Sequence, residues 1–371
     1  MTQAVATDRL RPVGSRVEWV DAAKAISILL VVVHHTMWFL DNAGLAPAPL
    51  VAANTALASF RMPLFFVASG LFAAAPLAAP WRTVLHKRVA LFVYLYVLWT
   101  FIRFLFWLAL PGVTDPYDSA NPMGLAWALV LPGPGMWFLY ALAVFSVVGK
   151  LIRRAPMWLQ LGASGVLSAL VGAEIVQFES FSWTFMARYL FFFLLGYHAR
   201  HRIESVARSS SGLKVVLAAV AAAGGAAASV VLNVRGIPGV ALALNVLAVT
   251  FGVLFAAWIA RYRIGRPLTL LGRHTLPVYL IHIFFVAAIM TGVQHLALPV
   301  AAQYAAPLVI AVVVAPVCLL TRRVLVAAGA PWLFDLPSRL AYRAPNRATP
   351  AQPGTADAPT APIPVVPPKN A

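Results

Sequence analysis

Charged side chains make up only 11% of this 371-residue chain, and it has a single cysteine, Cys318. A lone cysteine cannot close an internal disulfide, so Cys318 is expected to pack. Soluble domains carry about a quarter charged residues. With so few here, 61% hydrophobic residues and a mean hydropathy of +0.84, the composition is that of an integral membrane protein. Negative charge is scarcer still, 11 acidic residues against 28 basic, for a net charge of +17. An excess of that size suits nucleic acid when it forms a stripe or a tail. Here the Lys and Arg residues fall in short clusters between apolar runs of about 20 residues, the length that crosses a bilayer core as helix. The charge is therefore topological, and no nucleic-acid partner is expected. A cleavage site is also missing after the first apolar run, which is too long for a signal peptide and follows a basic arm, so that run is expected to stay as a span. No internal repeat is evident, which weakens a transporter built from two related halves.

Spans are expected near 20–40, 57–75, 89–110, 125–149, 157–174, 183–199, 213–232, 240–260, 272–293 and 303–320. Basic clusters such as Arg82/Lys87/Arg88, Lys150/Arg153/Arg154 and Arg261/Arg263/Arg266 fall on one side. Asp41, Asp115, Asp118, Glu174 and Glu179 fall on the other, where Arg235 and, at a span entrance, Arg61 are the basic exceptions. The positive-inside rule makes the basic side cytoplasmic and puts both termini inside. The expected fold is all-α, a polytopic membrane protein with about ten transmembrane helices. Pro132-Gly133-Pro134-Gly135 and Gly272 through Pro277 interrupt the apolar pattern, and broken backbone at membrane depth is tolerated where it is buried or lines a cavity, so an internal cavity is expected. Residues 1–16 read as a basic cytoplasmic arm, 17–323 as the membrane domain, and 324–371 as a Pro/Ala-rich disordered cytoplasmic tail.

The first span, Trp19 to Leu40, carries Asp21, Lys24, His34 and His35. Ionisable groups in hydrocarbon are costly, and several in one segment mark a functional site. Lys24 and His35 are eleven residues apart, roughly three helical turns plus 20°, so they share a face about 16 Å apart along the axis. Asp21, three residues before Lys24, joins that face. His34 points about 100° away and is expected not to serve the same cavity. A helix-packing hydrogen bond explains a lone intramembrane histidine well, and three aligned ionisable groups poorly.

Four other constellations stand out. Ser69-Gly70, in PLFFVASG, suits a small-residue helix contact as well as a site. In Gly272 to His282, Thr275 is placed to cap a helix and Tyr279 and His282 lie on one face, where a structural Tyr–His hydrogen bond is a rival reading. Arg82 to Arg88 is a basic loop that topology alone would explain. Met136 to Tyr140 reads first as an interfacial aromatic anchor.

In this order, VDAAKAISILLVVVHHT, RMPLFFVASGLF, HKRVALFVYLYVLW, MWFLYAL, ARYLFFFLLGY and GRHTLPVYLIH resemble the acyltransferase 3 family of membrane-embedded O-acyltransferases, nearest to its branch related to fucose 4-O-acetylases, over residues 17 to 320. The resemblance implies a ten-helix fold that moves an acyl group, commonly acetyl, from cytoplasmic acyl-CoA to a hydroxyl of a sugar, glycan or glycoside. Acyl-CoA, acetyl-CoA first, is then a co-substrate, with no permanently bound cofactor and no metal. The family's basic residue, separated by ten intervening positions from a histidine, maps onto Lys24 and His35. Many members have Arg where this chain has Lys24, and lysine lacks the planar fork for a bidentate contact. The family's arginine at the start of the third span maps onto Arg88, and its later Tyr and His onto Tyr279 and His282, as substrate contacts or structural support.

The physical chemistry is consistent with that mapping. A sugar hydroxyl attacks a thioester well only when a base takes its proton, and neutral imidazole is suited to this near pH 7, which makes His35 the candidate base. Arg82, Lys87 and Arg88 are candidates for the phosphates of CoA. Lys24 is expected to orient the donor's arm or to pair with Asp21, and Ser69 is the candidate oxyanion donor. The alternative is a transporter or flippase for a glycan or lipid-linked sugar, which moves its cargo without covalent change; a plain scaffold leaves Asp21, Lys24 and His35 unexplained. The expected place is the plasma membrane.

Overall fold

A computed structural model describes residues 17–337 apart from 116, 134, 294 and 297. Residues 1–16 and 338–371, and with them the basic arm and most of the tail, lie outside the described residues. Among the described residues every regular element is a helix, and ten run 16 residues or longer. We number these α1 Glu18–Asn42, α2 Ala48–Leu71, α3 Ala90–Ala109, α4 Trp137–Ile152, α5 Met157–Gly172, α6 Phe181–His198, α7 Gly212–Val231, α8 Val240–Ile259, α9 Thr275–Val293 and α10 Val300–Ala327. Among the described residues, seven helical segments are long and apolar enough to cross a membrane: α1, α2, Trp81–Ala109 (which contains α3), α7, α8, α9 and α10. The shorter apolar helices α4 and α5 have 16 residues each.

The first helix is the hub. It packs against α2, α8, α9, α10 and the short helix Arg266–Gly272, and it is the most enclosed of the seven. Its near-continuous run of Ala, Ile and Val suits a helix covered by protein on most sides. Helices α2 and α6 approach closely because each offers a glycine to the other's main chain. A methyl group at Gly70 would strike the Phe193 carbonyl, and one at Gly196 the Val67 carbonyl. Small residues at such crossings let backbones meet and gain dispersion contacts where lipid supplies no hydrophobic drive.

Two expectations need correction. The span drawn over 125–149 is broken: a short helix covers Pro122–Trp127, and α4 begins only at Trp137. Proline has no N–H to continue a helix and glycine costs conformational entropy there. The carbonyls freed by the break are satisfied from neighbouring side chains. Tyr96 donates to Ala128 O, Tyr140 to Leu129 O, Trp183 to Val130 O, Ser182 to Pro132 O and Tyr279 to Gly135 O. Non-helical backbone inside a membrane bundle needs such partners. The packed domain also runs past residue 323. Helix α10 continues to Ala327, Trp99 Nε1 donates to Leu333 O at 2.7 Å, Tyr94 donates to Trp332 O at 3.0 Å, and Phe334 is buried. An average composition over the whole tail hid this short Pro-Trp-Leu-Phe anchor.

Candidate active site

A cavity of about 660 Å³ lies beside the second half of α1, between it and the first halves of α2, α4 and α6. His34, His35, Asn54, Thr55, Arg61, Tyr117, Asp118 and Tyr279 are among its polar lining, with Trp38, Trp137 and Phe138 among its aromatic walls.

His35 is buried, and its Nδ1 lies 2.7 Å from Nε2 of the equally buried His282. The Nδ1 of His282 lies 2.8 Å from Val278 O, one turn earlier on α9. A carbonyl only accepts, so His282 carries its proton on Nδ1 and, as a neutral ring, offers a bare Nε2. That nitrogen accepts from the Nδ1–H of His35, which leaves the His35 Nε2 lone pair unprotonated. Tyr279 does not bond to His282; it donates to Gly135 O at 3.3 Å and packs edge-on against Phe138, so the rival Tyr–His hydrogen bond is absent.

The loop between α3 and the Pro122–Trp127 helix inserts an aromatic ring over His35. The Asp115 carboxylate accepts from the backbone N–H groups of Tyr117, Ser119 and Ala120, a turn closed by an aspartate side chain. It sets the Tyr117 ring edge-on to His35, at 5.9 Å between centroids, and against Trp38 at 4.1 Å. Burial raises the pKa of the Tyr117 phenol, with Arg103 and Arg61 pulling the other way, so the hydroxyl keeps its proton at neutral pH. The Arg103 guanidinium stands over both Tyr117 and Trp107, in a niche left open by Gly135, whose missing methyl would fall on it.

His34 also lines this cavity, contrary to the expectation from its angle on the helix. The cavity is wide enough to take in both faces, and α2 comes alongside to supply a partner: Asn54 Nδ2 lies 3.1 Å from His34 Nδ1.

The other expected site residues lie elsewhere. Asp21 and Lys24 sit near the start of α1, where Asp21 is within 3.9 Å of Lys24 Nζ and 3.8 Å of Arg273 Nε. Lys24 and Arg200 both stand over the Phe72 ring. Ser69 gives its hydroxyl to Phe65 O at 2.9 Å, one turn back on its own helix, and does not line the cavity. Arg82 and Lys87 are exposed. Arg88 lies in a π-helical turn, Leu85–Val89, and donates to Ser146 Oγ at 3.0 Å. Such turns recur at functional sites. The structure thus brings His35, His282 and Tyr279 together and keeps Asp21, Lys24, Ser69, Arg82, Lys87 and Arg88 apart from them. It adds Asn54, Arg61, Arg103 and Tyr117. Arg61 and Arg103 carried a readable signal, being charges inside apolar helices; Tyr117 carried none, since its place depends on how its loop folds.

A helical membrane protein with two adjacent imidazoles on a largely apolar cavity defines a class, and comparison with known proteins gives it a family. Residues 17–322 match the family described as an acyltransferase domain, and the chain belongs to that family. Among curated proteins it is similar to the inner membrane protein YcfT of Escherichia coli (strain K12), 26% identical over 159 residues, which is 38% of this chain and 44% of that relative. The match thus spans less than half of the relative's length. No solved structure matches.

Proposed function

We propose that this protein is a plasma-membrane O-acyltransferase that moves an acyl group, acetyl first among candidates, from cytoplasmic acyl-CoA to a hydroxyl of a carbohydrate-containing acceptor, with His35 as general base. Membership of the acyltransferase family supports the reaction class. The observation that carries the residue assignment is the His35–His282–Val278 chain beside the cavity, because it leaves a basic nitrogen where a substrate can enter.

In this reading the acceptor hydroxyl gives its proton to His35 Nε2 as its oxygen attacks the thioester carbon. The C–O bond forms, the C–S bond breaks, and the departing thiolate takes the proton back from His35. His282 acts through His35, holding its tautomer and ring plane. Arg82, Lys87 and Arg88 hold the phosphates of CoA at the other end of α1 by charge-assisted contacts. The pantetheine arm then runs along α1 past Lys24, about 16 Å of helix axis before His35. Both termini face the cytoplasm in this arrangement.

The test is acyl transfer by purified protein supplied with acetyl-CoA and a panel of glycosides, followed by mass spectrometry. Folded His35→Ala is expected to lose about 10²- to 10⁴-fold in rate, the usual contribution of a positioned base. A wild-type rate in that variant removes His35 from the mechanism.

A further inference from the structure

The oxyanion donor expected at Ser69 is spent on Phe65 O, and a second hydrogen-bond chain supplies one in its place. Arg61, itself buried, donates from Nη1 to the Asn54 side-chain oxygen at 3.0 Å and to the Asn54 carbonyl at 3.2 Å. A guanidinium has no acceptor, so the amide oxygen of Asn54 faces Arg61 and its NH2 group faces His34. At 3.1 Å that NH2 donates to His34 Nδ1, which must be bare. A neutral His34 therefore carries its proton on Nε2. Its neighbour His35 has the opposite arrangement, proton on Nδ1 and lone pair on Nε2. The two rings lie 5.3 Å apart between centroids, and both line the same cavity.

We infer that His34 is a second catalytic residue, donating from its Nε2–H to the carbonyl oxygen of the acyl group as that oxygen becomes negative, while His35 takes the hydroxyl proton. Adjacent histidines thus divide the work: one accepts a proton, the other stabilises charge with a hydrogen bond and keeps its own proton. The buried Arg61 charge, relayed through Asn54, polarises the His34 ring and strengthens the donor. No further reactant is needed, since the ester and the free thiol account for every atom. The inference rests on the acyl-transfer reading for the role of His34, and on hydrogen-bond direction alone for its tautomer.

Two measurements test it separately. Nitrogen-15 NMR of the full chain, labelled at histidine, is expected to show His34 bare at Nδ1 and protonated at Nε2, with His35 the reverse. The same tautomer at both positions overturns the inference whatever the reaction. In kinetics, His34→Leu is expected to lower kcat about 100-fold with little change in KM for acetyl-CoA, a loss typical of removing one oxyanion donor. His34→Gln, whose amide N–H reaches the same place, is expected to recover to within about tenfold of wild type. Asn54→Asp keeps the imidazole but accepts where asparagine donates, so His34 is expected to switch its proton to Nδ1 and kcat to fall as in His34→Leu. Wild-type turnover in His34→Leu overturns the catalytic role. Absence of transfer by the wild-type protein sinks the acyl-transfer reading and that role with it, while the NMR result still decides the tautomers.

Discussion

The two ends of α1 both carry ionisable groups but use them differently. Near its start, Asp21 faces Lys24 and Arg273 at ion-pair distances, and the main chain of Gly272 lies against the Asp21 carbonyl so closely that no side chain fits between them. Near its end, His34 and His35 are held through Nδ1 by Asn54 and His282, and both residues line a cavity. At the first end charge meets opposite charge; at the second, each hydrogen bond on one ring nitrogen defines the state of the other. Burial and charge alone do not mark a reacting group. What separates the two ends is the cavity: His34 and His35 line it, whereas Asp21, whose Oδ2 makes no hydrogen bond, does not.

The largest effect is expected at Gly272. Gly272→Val drives a branched side chain into the Asp21 carbonyl, and a loss of about 1–3 kcal/mol in stability is expected from such overpacking. Thermal unfolding in detergent checks this, and the folded fraction should turn over at the wild-type rate. A folded variant with depressed kcat would show that this end also serves the chemistry. Arg88→Ala sharpens the contrast from the other direction, since Arg88 is proposed to bind substrate although it is remote from the cavity. Its KM for acetyl-CoA is expected to rise about tenfold, near 1.4 kcal/mol, with kcat preserved; an unchanged KM removes the phosphate contact. The smallest effect belongs to Asp21→Asn. Its partners are part-exposed and sit at 3.8–3.9 Å, so a cost of at most about 1 kcal/mol is expected. A kcat fall beyond twofold would give Asp21 more than a structural task.

Much of this was legible in the chain because hydrocarbon imposes its own ruler. Helices cover all ten apolar segments, in part only over 125–149, because backbone without water must bond to itself. The partner of His35 was legible as a residue type, His282 on one helical face with Tyr279, but the separate tasks of these two were not, because they turn on which polar atom meets which carbonyl. His34 was misjudged for a physical reason: the 100° separation is real, yet it limits only what a narrow cleft can collect, and Asn54 comes from another helix. Tyr117 was invisible for a similar reason, since an Asp115 turn in a connecting loop aims it. Arg61 and Arg103 stood in plain view as charges in apolar helices.

The paired glycines of α2 and α6 carry a mechanical consequence. With each backbone seated in the other's gap, the helix bearing Asn54 and Arg61 and the helix bearing Phe185 and Tyr189 form a single stiff wall. Prising that wall apart to admit a bulky guest would cost the close contacts made at both glycines. The connecting segments that also border the cavity are held instead by individual side-chain bonds, Trp107 Nε1 to Thr114 O and Trp183 Nε1 to Val130 O among them.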